Sequence, residues 1–259
     1  MKKLLFAVTF IGILQGCSKD DNSPALELER PITMTVFCPN ALNTAISQTD
    51  YEYDLENLIR LTLKNYGEIT SVTNYEYNSK NQLIKETCDQ DLRNTEITYV
   101  YNESDQLINK LYKIADLDAN GLVLRTTESE SPLEYENNFL VKDFETWGGW
   151  NTYEYSNNKL IKKNVYTSSG QLHWIMTFKY SGDLKIEEKN QTFNGTIIYT
   201  KSYEYDSDGR LEKVIDDGNV IEQNLYDGNK LLEKRIYYFG IDPGYYACNG
   251  NFIYKYQYQ

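Results

Sequence analysis

Tyr203-Glu204-Tyr205-Asp206-Ser207-Asp208-Gly209-Arg210-Leu211 sets the architecture of this chain. Its first three residues put two aromatics on one side of the backbone and a carboxylate on the other, the period-two pattern of a half-buried strand. Asp206 to Gly209 supply the residue types that accept turn conformations others resist. Leu211 opens a return strand, and Asp217-Gly218 makes a second turn. Two strands of about ten residues plus two turns use roughly 24 residues. The same aromatic pair, polar turn and Leu-led run recur at about that interval. Copies start at Tyr51, Tyr75, Tyr99, Leu133, Tyr153, Phe178, Tyr203, Asn224 and Tyr254, and Ser169-Gly170 and Asn194-Gly195 serve as further second turns.

Residues 31–259 therefore read as one all-β domain, an antiparallel meander of consecutive β-hairpin repeats forming a twisted or spiralling sheet, open or partly closed. Ile32 to Phe37 is the expected first strand, and only Ile114 to Leu124 fits a short helix or loop. Most of the 24 Tyr residues fall in the repeat. Stacked across neighbouring strands, they form ladders that hold a sheet together. Exposed on one face, the same ladder would offer flat platforms to a sugar or peptide.

The nine-residue stretch from Tyr203 resembles the YD repeat of Rhs-type cell-surface proteins, whose pattern is Tyr-x-Tyr-Asp-x-x-Gly-Arg-Leu. Other copies keep the aromatics and the Leu but usually lose Gly and Arg. The resemblance implies hairpins that build a long curling sheet, closed into a shell in large members. With nine copies, an open twisted meander or partial spiral is expected. A fold of this kind names no activity.

The chain begins with Lys2 and Lys3 and an apolar run from Leu4 to Leu14. That run is too short for a bilayer span, which needs roughly 20 residues, and has the length of a signal-peptide core. Leu14-Gln15-Gly16-Cys17 resembles the lipobox of bacterial lipoproteins. The resemblance implies removal of residues 1–16 and lipidation of Cys17, with Gln15 a departure from the usual Ala or Ser. Several acyl chains on one cysteine give stable anchoring without a transmembrane helix. Lys19, Asp20 and Asp21 resemble the lipoprotein export signal of Bacteroidota, which implies display on the outer face of the outer membrane; a tether facing the periplasm is the alternative. Residues 17–30 then form the lipidated cysteine and a flexible tether.

Processing removes two lysines and takes the formal charge from −12 to −14. So acidic a domain repels phosphate backbones, and nucleic acid is excluded as a partner. Beyond Cys17 there are three cysteines, Cys38, Cys88 and Cys248, so one internal disulfide at most can form. Cys38 and Cys88 are the nearer pair in sequence, but spacing alone does not fix connectivity.

Catalytic signatures are missing. The single histidine, His173, sits at an alternating strand position. Asp216 and Asp217 are paired carboxylates, and Asp206 and Asp208 resemble a fragment of a calcium loop, but all four suit turns. No enzyme activity, cofactor or metal is expected. The candidate ligand contacts are Trp147 and Trp150, which flank Gly148-Gly149 outside the repeat pattern. A Gly pair lets backbone approach a ligand, and Trp faces suit sugars or cations. The sequence thus points to a non-catalytic binding or interaction lipoprotein, with glycan or peptide as its expected ligand. The alternative is a structural or secretion-linked envelope accessory that docks a protein partner.

Overall fold

The computed structural model describes residues 30–39, 44–237 and 251–258. Among these, eighteen strands follow one another: β1 (Thr33–Phe37), β2 (Ala45–Asp54), β3 (Asn57–Asn65), β4 (Glu68–Tyr77), β5 (Leu83–Gln90) and β6 (Arg93–Tyr101). Next come β7 (Leu107–Leu117), β8 (Val123–Glu136), β9 (Phe139–Phe144), β10 (Trp150–Ser156), β11 (Lys159–Tyr166) and β12 (Leu172–Ser181). The last six are β13 (Leu184–Thr192), β14 (Ile197–Tyr205), β15 (Leu211–Asp216), β16 (Asn219–Asp227), β17 (Lys230–Tyr237) and β18 (Asn251–Gln257). Each strand pairs antiparallel with its predecessor and successor, and β1 pairs with β18 as well as β2, so the sheet closes into a barrel. The nine repeat copies occupy the even-numbered strands, one per hairpin. The antiparallel hairpin meander expected from the sequence is what the strands form, and it closes, which the partly closed alternative allows, instead of staying open or spiralling. The segment from Ile114 to Leu124 is the end of β7, a turn and the start of β8, not a helix.

A bulge recurs in every hairpin and explains the closure. The register shifts between Glu52 and Tyr53, and again at Tyr77, Tyr101, Tyr135, Tyr155, Tyr180, Tyr205 and Tyr226. In seven of the eight hairpins the extra residue follows the return-strand Leu, as Ile59, Ile108 and Ile161 do; at β12–β13 it is Ile186, after Lys185. Bulges increase local twist and bend the strand, so a bulge at one level of every hairpin bends the sheet around one axis.

The aromatic face is the inner one. Burial pushes the hydroxyls of Tyr51, Tyr75, Tyr99, Tyr153, Tyr203 and Tyr256 well above the usual phenol range. The opposite face carries cross-strand ion pairs a few residues from the hairpin turns. Glu52–Arg60, Glu134–Lys142, Glu154–Lys162, Lys179–Glu187 and Glu204–Lys213 all lie directly opposite in register and within 4.0 Å. The residue between the two aromatics of a copy is thus matched to the residue after the bulge. Exposed pairs of this kind contribute roughly 0.2–1 kcal/mol each and fix register more than stability.

Few apolar side chains are fully buried. Met34, Val36 and Phe252 cluster where β18, β1 and β2 meet, with Ile46, Tyr51, Tyr254 and Tyr256 against them. Eighteen strands make an interior too wide for side chains to fill, and most inner tyrosines stay half-exposed. The wall is held strand by strand.

Candidate functional site

The second aromatic of a copy sets a recurring bond. Tyr77 Oη donates to Leu58 O at 3.0 Å, Tyr101 to Leu83 O at 2.9 Å, Tyr180 to Leu160 O at 2.9 Å and Tyr205 to Lys185 O at 2.8 Å. Tyr53 makes the same bond to Pro31 O, just before β1, and Tyr258, the third aromatic of the last copy, makes it to Leu231 O. Each phenol reaches the neighbouring strand and caps a carbonyl at or just before the start of the preceding odd strand. The first aromatic instead finds a carboxylate on the inner wall: Tyr99 donates to Glu86, Tyr153 to Asp143, and Tyr203 to Glu188 at 2.9 Å. Most of the ladder is therefore committed to the wall.

Two polar clusters stand out on the inner face. Glu188 accepts from Tyr199, Tyr203 and Lys185. Burial works to raise its pKa, but these bonds and the lysine charge outweigh it and hold the carboxyl below its ordinary range. In the second cluster, Asn151 is 1% exposed and its Nδ2 donates to both Asp143 and Glu145 at 2.8 Å. Among the described residues no group of three or more His, Cys, Asp or Glu side chains is placed to hold a metal ion.

The two rims differ. One rim carries the β2–β3, β4–β5 and equivalent turns, and β1 starts there at Thr33. Its turns are chained to one another: Arg30 to Glu56, Lys80 to Asp105 at 2.6 Å, Lys159 to Asp183 at 2.7 Å, and Arg210 to the Gly228 carbonyl. Arg210 also pairs with Asp206 and Asp208 and lies over the Tyr226 ring at 5.1 Å. Asp206 Oδ1 accepts the amides of Asp208 and Arg210, so these carboxylates build a turn. The far rim is the more apolar, with Leu122 67%, Leu124 70%, Phe193 60% and Trp147 56% exposed.

The sequence candidates lie as follows. Cys17, Lys19, Asp20 and Asp21 fall outside the described residues. Trp147 and Trp150 are not brought onto one platform. The Trp147 ring covers Gly149 at the far-rim turn, where an added Cβ would lie 1.8 Å from it. Trp150 is on the outer wall, stacked on Tyr166 with ring centroids 5.4 Å apart and planes 14° apart. The suggested Cys38–Cys88 bridge is corrected: Cys88 is a free thiol on the inner face, its Sγ 3.3 Å from Ser71 Oγ, whereas Cys38 is disulfide-bonded. Cys38 directly follows β1 and Cys88 lies on β5, with three strands between them. His173 is exposed with its ring against Trp174. Asp217 and Gly218 form a left-handed turn, while Asp216 ends β15 with Oδ1 buried and unpartnered.

Sequence reasoning missed a gap in the wall. β8 runs from Val123 to Glu136, but β9 pairs with it only from Leu133 onward. The β9–β10 turn begins at the level of Ser131, whose Oγ donates to Phe144 O. Above it, β8 pairs with β7 on one side and, among the described residues, with no strand on the other. The uneven spacing of the copies carried the signal, since the interval from Tyr99 to Leu133 is the longest and that from Leu133 to Tyr153 the shortest.

No family model and no curated protein matches this chain. Solved structures similar to it include the crystal structure of TcdB2-TccC3-Cdc42, at 10% identity and TM-score 0.29, covering 78% of this chain and 13% of that one. Another is a porin-like protein from Bacteroides uniformis, at 11% identity and TM-score 0.38, covering 73% of this chain and 97% of that one. The chain thus spans about an eighth of the first structure's length. At these scores neither neighbour informs the function of this chain.

Proposed function

We propose that this chain is a lipid-anchored, surface-displayed barrel of the outer membrane that acts as a non-catalytic binding module for a glycan or peptide. The observation that carries this reading is the distribution of charge on the wall. No helix among the described residues is long and apolar enough to cross a membrane, which says nothing about strands. The strands speak for themselves. A spanning barrel presents an apolar band about 25 Å tall to lipid, and a Lys or Arg at its middle costs roughly 2–4 kcal/mol. Here the outward positions carry Arg60, Lys162, Lys179 and Lys213 with their acidic partners, a ring of charge a few residues from the hairpin turns. Lys64 pairs with Asp50 further along the wall, in the middle of β2. Such a wall belongs in water, so membrane attachment falls to the lipid on Cys17. Inside, aromatic rings alternate with carboxylates, a lining suited to polar ligands with flat apolar faces.

Cys17→Ser tests the anchor: the variant is expected to lose lipid labelling and leave the membrane fraction, and unchanged fractionation overturns it. External protease on whole cells tests display, and an intact protein places it on the periplasmic side. A glycan and peptide array on the purified protein tests binding. The second reading, a secretion-linked or structural accessory, is favoured by the apolar far rim. It predicts that crosslinking recovers one envelope protein and that the array stays empty.

A further inference from the structure

The gap in the wall leaves the far end of β8 as a free edge, longer than the one left on β14 beyond Lys201, where β15 ends. Asp118 donates to Leu122 O across the β7–β8 turn at 2.9 Å, while Leu117 donates the other way to Leu92 O. In an antiparallel ladder the amides alternate sides. Asp116, Ile114, Tyr112 and Lys110 therefore face β8, and their register partners Arg125, Thr127, Ser129 and Ser131 face back. The N–H and C=O groups of Thr126, Glu128 and Glu130 are left pointing away from β7 into the gap. Pro132 follows at the next such position, where a missing N–H removes nothing from the β7 ladder. Residues 123 to 128 are exposed on both faces, so this part of β8 stands clear of the barrel.

Unpaired edges of this length are templates for another strand, and strand addition is a common mode of peptide recognition. The chemistry beside the edge selects the strand. A shallow groove of about 470 Å³ on the outer face is lined by Glu96, Glu128 and Glu130, with Lys113 as its cation and Leu111 as an apolar floor. A strand laid along Thr126 to Glu130 would set alternate side chains beside Glu128 and Glu130.

We propose that the free edge of β8 captures an extended peptide with basic residues at alternate positions, which pairs with Thr126, Glu128 and Glu130 as an added strand. This rests on the binding-module reading and names its surface and its partner chemistry. It does not require the lipid anchor.

The test uses the full chain and a fluorescent peptide, Val-Lys-Val-Lys-Val-Lys-Val, followed by anisotropy. The expected result is saturable binding that is lost when alternate amides of the peptide are N-methylated, which leaves its charge unchanged. Glu128→Pro removes an outward donor but no bond to β7, and should weaken binding at least tenfold. Glu128→Lys with Glu130→Lys should transfer preference to Val-Glu-Val-Glu-Val-Glu-Val. If the proline variant does not fold, the methylated peptide and the charge swap decide. Failure of the parent protein to bind, or equal binding of the methylated peptide, overturns the proposal. A glycan or peptide found on the array whose binding survives Glu128→Pro overturns the edge while leaving the binding module standing.

Discussion

Single side chains explain why the copies look alike. The second aromatic must be Tyr where its hydroxyl caps a carbonyl across a strand, a task Phe cannot do. Tyr205→Phe should lower stability by about 1 kcal/mol, the usual net worth of one such bond, read as a shift in urea midpoint with unchanged slope. Its partner is Lys185 O. Phe178→Tyr, at a first position occupied by Phe, should change little. Glu188 sets a different, pH-dependent quantity. Its folded pKa is depressed, so its contribution is present above the ordinary value of 4.5 and lost as pH falls below it toward the folded value. Glu188→Gln should cost about 2 kcal/mol at pH 7, as loss of charge-assisted bonds does. The cost should shrink as pH falls below 4.5, and a pH series of thermal melts checks it. On the outer wall, Trp150→Ala should destabilise by about 2 kcal/mol through its stack on Tyr166. Trp147→Ala should leave the melt nearly unchanged, because half its surface is already in water.

At the level of hairpins the decisive feature is the bulge. Deleting Ile161 would close one bulge and leave Leu160 and Lys159 opposite Tyr155 and Ser156, so what it removes is the local bend of β11. A flattened hairpin strains the closed wall, and the deletion should lower the melting temperature by several degrees more than a change of the side chain alone. Ile161→Thr, which keeps the bulge and changes an outward side chain 37% exposed, should cost under about 1 kcal/mol. Thermal melts of the two variants separate the bend from side-chain loss. Alternation and turn chemistry made the hairpins legible in sequence, since both are local: Tyr203-Glu204-Tyr205 and Asp206 to Gly209 behave as their residue types dictate. The bulge was not legible, because Leu-Ile and Leu-Glu at its site look like ordinary strand residues. Closure followed it out of reach, being the sum of many small bends. The free edge of β8 depends on β9 ending at Phe144, a comparison between neighbouring strands that no single copy reveals. Trp147 and Trp150 were singled out for breaking the pattern, and their separation into a turn and an outer stack depends on which side of the sheet each one meets.

The whole barrel is constrained by parity. A meander in which every neighbour is antiparallel can close only with an even number of strands, since the last must run against the first, as β18 does against β1. The pairs, bulges and tyrosine caps all act between adjacent strands, and most of the lumen has no common core for a missing unit to disrupt. The barrel should therefore tolerate removal of a whole unit and not of half of one. Deleting residues 178–202 joins Thr177 to Tyr203, an outward residue to an inward aromatic, so alternation continues through the junction and the β11 and β15 neighbours meet an equivalent strand. That variant should fold as a narrower, sixteen-stranded monomer with a strand-dominated far-ultraviolet spectrum and a smaller radius by small-angle scattering. Deleting residues 182–193 alone removes β13 with its turns and leaves an odd number of strands, two of which would have to run parallel at the seam. An open seam exposes two full edges, which invite edge-to-edge association, so this variant should elute as aggregate. If both deletions fold equally well, or both fail alike, then stability is shared across the lumen rather than passed from strand to strand around the wall.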